Sequence, residues 1–152
     1  MVAADSQRVT TAMPSAGTAT RRFKIVLIKP SHYDTDGYVI QWWRSTIPSN
    51  SLASVYGLLS ECAEANVLGP DVEIDIEAFD ECNTVVNVKK IVRDIREAGG
   101  GFVGLIGVQS NQYPRALDLA RNFRKNGIAV AIGGFHVSGV ISMLPEMTPE
   151  KV

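Results

Sequence analysis

Two short apolar runs decide the fold: Phe102-Val-Gly-Leu-Ile-Gly-Val108, which leads into the polar turn Gln109-Ser110-Asn111, and Ile128-Ala-Val-Ala-Ile132, which leads into Gly133-Gly134. Between them lies a stretch of helical period. It opens at Pro114, turns Ala116, Leu119, Ala120 and Phe123 inward, shows Arg115, Asp118, Arg121 and Arg124 to water, and stops at Gly127. A run that is apolar at nearly every position suits a central parallel strand covered on both faces. Strand, helix, strand therefore reads as a parallel pair with its carboxyl ends side by side, the edge where open α/β sheets bind ligands.

The same alternation extends upstream. Lys24-Ile-Val-Leu-Ile28 is a buried strand that stops at Lys29-Pro30. A polar, aromatic loop runs from Ser31 to Pro48, and Ser49 or Asn50 caps a helix with Leu52, Val55, Leu59, Cys62 and Ala63 on one face. Gly69-Pro70 closes the turn after it. Val72, Ile74, Ile76 and Ala78 then alternate with Glu73, Asp75 and Glu77, as in an edge strand with one wet face. A helix from about Val88 turns Ile91, Val92, Ile95 and Ala98 inward and ends at Gly99-Gly100-Gly101. Four strands separated by three helices predict an α/β, flavodoxin-like (Rossmann-like), doubly wound parallel sheet of order 2-1-3-4. The last strand of that pattern is missing. After Gly134 the sequence offers one short helix near Ser138 to Leu144, so the expectation is a piece of a longer protein, truncated before the last strand, or a domain with an unusually exposed edge.

At 152 residues, 45% apolar and 20% charged, the chain has the make-up of a single globular domain. Residues 1–22 are read as a tail and 23–152 as the domain. The net charge of −1 gives no electrostatic case for nucleic acid. No apolar stretch has membrane-span length, and the start lacks a signal-peptide core. Two cysteines outside any CxxC fit a reduced, cytoplasmic protein, with Cys62 a buried thiol and Cys82 a loop thiol.

Several residues suit ligand binding without being specific singly. Gly133-Gly134 lets a flat or bulky group approach the backbone, or simply makes a turn. Gly104 and Gly107, inside a predicted strand, point to close packing or to a ligand pressed on the sheet. Ser110 is a hydrogen-bonding hydroxyl or a helix cap. Tyr33, Tyr38, Trp42 and Trp43 crowd one loop, either as a lid over the core or as a contact surface for a ligand or a second domain. Asp34 and Asp36 fit solvated turn residues.

Val103-Gly-Leu-Ile-Gly-Val-Gln-Ser-Asn111, a helix, and Ile128-Ala-Val-Ala-Ile-Gly-Gly-Phe-His136 together resemble a cobalamin-binding domain. The closer likeness is to the amino-terminal module of cobalamin-dependent radical S-adenosylmethionine enzymes, and it covers about residues 23–145. Pro48-Ser-Asn-Ser-Leu52 leading into Val55-Tyr-Gly-Leu-Leu59 is similar to the start of that module's first helix. The resemblance implies that the cofactor's nucleotide tail lies between the sheet and a helix, with the corrin on the carboxyl ends of the strands. Carried over, Gly133 and Gly134 make room for the tail, and Gly104 and Gly107 line its slot. Gln109, Ser110 and Asn111 bond corrin amides or tail, while Phe135 and His136 border the mouth. Gly134→Leu is then expected to abolish uptake and leave the fold largely intact.

The methionine-synthase branch of this family carries Asp-x-His-x-x-Gly, with the His on cobalt. Here the window reads Pro30-Ser-His32-Tyr-Asp-Thr35, and the serine position on the third strand is Ile106. An imidazole ligand needs a partner for its other nitrogen, which Pro30 cannot be. His32 is therefore expected to contact the corrin or loop, and the cofactor to be base-off without a His ligand. The cluster motif Cys-x-x-x-Cys-x-x-Cys is absent, as are P-loop, G-x-S-x-G and HExxH patterns. No catalytic residue and no metal ligand is assigned. S-adenosylmethionine and an iron–sulfur cluster would belong to a carboxyl-terminal radical domain, in cis or on a partner chain, in a parent enzyme transferring a methyl group. Two other readings stay open: a flavodoxin-like domain for a flavin or nucleotide, and a ligand-free interaction domain docking through Trp42-Trp43.

Overall fold

A computed structural model describes residues 21–43 and 49–143. β1 (Arg21–Lys29), β2 (Val72–Asp80), β3 (Gly101–Leu105) and β4 (Ala129–Ile132) form one sheet of order β2-β1-β3-β4, and every pairing is parallel. Helices α1 (Asn50–Glu64), α2 (Val88–Ala98), α3 (Tyr113–Lys125) and α4 (Phe135–Met143) alternate with them. The doubly wound α/β architecture and the edge position of β2 follow the sequence reading. Pro48, Leu144 and the segment 1–20 lie outside the described residues.

The register puts Val26 and Ile28 beside Val103 and Leu105. With Ile91, Val92 and Ile95 of α2, and Ala116, Leu119 and Phe123 of α3, they make the buried core on one face. α4 joins this layer, its Val137 and Ile141 near Val130 and Ile132 of β4. α1 covers the other face over Ala78 and Asp80 of β2. The caps explain the helix bounds. Ser49 accepts from Leu52 N at 3.3 Å, Asn87 accepts from Lys90 N at 3.0 Å, and Pro114 sits in the first turn of α3.

Five expectations need correction. Arg21 and Arg22, assigned to the tail, pair with Val72 and Glu73 and so open β1. The third strand ends at Leu105, because Gly107 turns the chain with φ +68°; Val108, past that turn, is still buried in the same core. The wet face of β2 is partly neutralised, since Lys24 Nζ reaches Asp75 and Glu77 at 3.1 Å each. Burial opposes the Lys24 charge, but hydrogen bonds to these carboxylates outweigh it and its pKa is raised. The short helix expected near Ser138 starts earlier, at Phe135. Cys62 is half-buried rather than buried, and Cys82 likewise.

Candidate functional site at the carboxyl edge of the sheet

The loops after β3 and β4 are zipped together by their backbones. Gly133 N donates to Leu105 O at 2.9 Å, Val108 N to Gly133 O at 3.0 Å, and His136 N to Val108 O at 3.1 Å. Gly134 lies at φ +144° in this crossing, and a Cβ there would stand 2.6 Å from Val108 O and 2.8 Å from Gly107 C. Its missing side chain makes room for the protein's own backbone. Gly133 differs: a Cβ there meets nothing within 4 Å. Gly104 is closed over by Leu27 and Ile106, whose side-chain atoms lie 3.0 and 3.2 Å from the same ideal position. Gly107 faces the start of α1, with Ser51 Cβ at 3.1 Å.

The polar residues predicted with these glycines gather around them. Ser110 Oγ and His136 Nδ1 are 3.1 Å apart, and the His136 ring centroid lies 4.2 Å from that of Tyr113. Ser110 is thus not the cap of α3. Gln112 holds that position, and its Oε1 accepts from Gln109 N at 3.0 Å. Gln109 and Asn111 are exposed, and Phe135 is 79% exposed. His32 sits apart from this group, half-buried after β1, its carbonyl accepting from Ile40 N at 2.9 Å. Among the described residues no group of three or more His, Cys, Asp or Glu side chains could hold a metal ion.

An ion-pair network that the sequence did not reveal ties the loops after β1 and β2 to α3. Glu81, directly after β2, is 1% exposed. It accepts from Arg115 Nε at 3.1 Å, from Arg115 Nη2, and from Ser31 N at 3.0 Å. The Tyr33 hydroxyl donates to Asp118 at 2.7 Å and lies 3.5 Å from Arg115 Nη1. Arg115 and Asp118, expected in water, are tied to the loops instead. Burial opposes the Arg115 charge, but hydrogen bonds to Glu81 and Tyr33 outweigh it and hold the guanidinium protonated. Burial foremost, then the Asp118 bond, raises the Tyr33 hydroxyl. That same bond is the main cause holding the Asp118 carboxyl below its ordinary value.

The α1 side is open. The inward residues of α1 are only partly buried and none is fully so, although the helix has 15 residues. A cavity of about 520 Å³ runs beneath it, lined by Leu52, Ala53, Tyr56 and Ala78, with Ser49, Asp80 and Asn83 at its carboxyl-edge end. That volume lies within the range of small-molecule sites. Lys29 Nζ pairs with Asp80 at 3.2 Å and stands 3.7 Å from Cys82 Sγ. Burial, then the Asp80 carboxylate, push the Cys82 thiol up, so it stays protonated near neutral pH.

The structure brings Gly107, Gly133, Gly134, Ser110 and His136 to one side of the α1 start and places the cavity on the other. No described helix is long and apolar enough to cross a membrane. Compared with family models, curated proteins and solved structures, the chain matches none.

Proposed function

We propose that the chain binds cobalamin, base-off and without a His ligand, as the amino-terminal module of a radical S-adenosylmethionine methyltransferase. The observation that carries this reading is the apolar cavity under α1, opening at the carboxyl edge of the sheet beneath a helix that has no fully buried residue. A flat, largely apolar arm with a few hydrogen-bonding groups suits the cavity's walls: Leu52, Ala53, Tyr56 and Ala78 would hold the ring, and Ser49 and Asn83 its polar edge. Gly133, with open space above it, and the Ser110–His136 pair would receive the corrin and its amides. Bound cobalamin would supply a methyl group, and the chain's own part is to hold and orient it.

The test is uptake. The chain is mixed with hydroxocobalamin and desalted, and its visible spectrum is recorded. Equimolar retention with a base-off spectrum is expected. A colourless eluate overturns the reading, and uptake of a flavin in its place would move the domain to the flavodoxin-like alternative. A second prediction concerns Gly133→Val. Nothing within 4 Å meets a Cβ at this position, so the fold should hold. Cobalamin retention, measured by ultrafiltration, should fall by roughly tenfold or more, because the branched side chain occupies the space given to the corrin. Unchanged affinity would remove Gly133 from the site.

A further inference from the structure

We infer that Trp42 is a ligand-stacking residue at the rim of the cavity under α1, and that it selects for a planar ring system. The inference rests on the reading that this cavity holds a ligand.

Trp42 and Trp43 are the only tryptophans of the chain, and they are 63% and 98% exposed. A lid over the domain's own core would bury them, so the lid reading fails. Tryptophans left in water on a loose loop would be unremarkable, but the backbone here is pinned. Ser31 Oγ donates to Ile40 O, and Gln41 Nε2 reaches Glu81 O at 3.5 Å and Thr84 O at 3.4 Å. Trp42 N donates to Cys82 O at 2.6 Å. Glu81, which anchors this stretch, is itself held by Arg115 of α3. The loop is thus ordered right up to an aromatic side chain that gains little burial from the order. Order without burial is what a preorganised contact looks like, because a fixed ring loses little freedom when a ligand arrives.

Position supplies the ligand. Cys82, the backbone partner of Trp42, stands between the turn that begins at Asp80 and Asn83, both of which line the cavity. On the other side, Ser49 lines the same end. Trp42 is therefore one residue from the wall at the open, carboxyl-edge mouth. A large π-face beside an apolar cavity recognises a flat, partly apolar ring by stacking. Among the described residues Trp43 shows no such link to the wall, and it serves as the internal control.

The experiment uses the whole chain with Trp42→Ala, Trp42→Phe and Trp43→Ala, and hydroxocobalamin as the probe, measured by ultrafiltration and visible absorbance. Trp42→Ala is expected to weaken retention roughly tenfold, Trp42→Phe to recover most of it, and Trp43→Ala to stay close to the parent chain. The thermal midpoint should not move, since the ring is in solvent. Normal binding by Trp42→Ala overturns the inference and leaves the proposed function standing. If the parent chain retains no cobalamin, the proposed function fails. The inference is then decided with flavin mononucleotide on Trp43→Phe, whose sole tryptophan is Trp42, by fluorescence excited where tyrosine does not absorb. Saturable quenching supports stacking at the rim, and quenching that stays linear with flavin overturns it.

Discussion

Glu81→Ala is expected to lower the stability of the chain by about 3–5 kcal/mol, the cost of breaking a buried ion pair by removing one partner. The carboxylate is 1% exposed and accepts from three donors: Nε and Nη2 of Arg115, and Ser31 N. Truncation leaves a half-buried guanidinium with Tyr33 as its remaining side-chain contact and leaves a buried backbone N–H without its acceptor. Such a loss is a large part of the roughly 5–15 kcal/mol that folds a domain of this size. Urea denaturation should show the midpoint falling with an unchanged slope. Glu81→Leu combined with Arg115→Met should recover much of the loss, because the penalty lies in the unpaired charge rather than in the missing bond. A loss under about 1 kcal/mol for Glu81→Ala would mean that water reaches the site and that the network is not structural.

Gly134→Ala should cost about 3 kcal/mol or more, although it adds a single methyl group. The residue lies at φ +144°, where side chains are rarely tolerated, and the new carbon would overlap the backbone of Val108. Relief requires parting the loops after β3 and β4, which breaks the bonds from Val108 N to Gly133 O and from His136 N to Val108 O. Gly133→Val, one residue away, should stay within about 1 kcal/mol of the parent chain. Calorimetric midpoints of the two variants make the comparison, and equal midpoints would contradict the crossing. For the same reason Gly134→Leu cannot separate ligand loss from damage to the fold, contrary to the expectation drawn from the glycine pair alone. Gly133 is the position where that separation can be made.

How much of this could be read in advance follows from what periodicity measures. The order of strands and helices, the caps at Ser49 and Gly99 and the edge place of β2 are local or two-element properties, and the sequence carried them. The apolar run through Val108 hid the end of β3, because Val108 returns to the same core although it lies past the strand. Arg115 and Asp118 share the polar stripe of α3, so the helical period assigns them to water. The period is blind to loops that rise above the end of the sheet, and there Glu81 and Tyr33 cover them. Glu81 had one available clue: an acid directly after β2, at the same edge as an arginine in the first turn of α3. Gly104, Gly107 and Gly134 are close approaches and Gly133 is not, and a sequence does not say whether an approaching group is a ligand or the chain itself. For Gly134 it is the chain, and for Gly133 the space is open.

The thin packing of α1 has a consequence in time as well as in space. β1 has hydrogen-bonded neighbours on both sides, and its stretch from Ile25 to Ile28 is sealed from water. Its amides should exchange with deuterium only through global unfolding, whereas those of α1, which holds no fully buried residue, should exchange through cheap local openings. The fold thus keeps its slowest and fastest backbone in adjacent layers, with the cavity where α1 crosses β2. Whatever fills that space acts first on the fluctuations of α1, and the protection of fifteen helical residues becomes a direct gauge of occupancy.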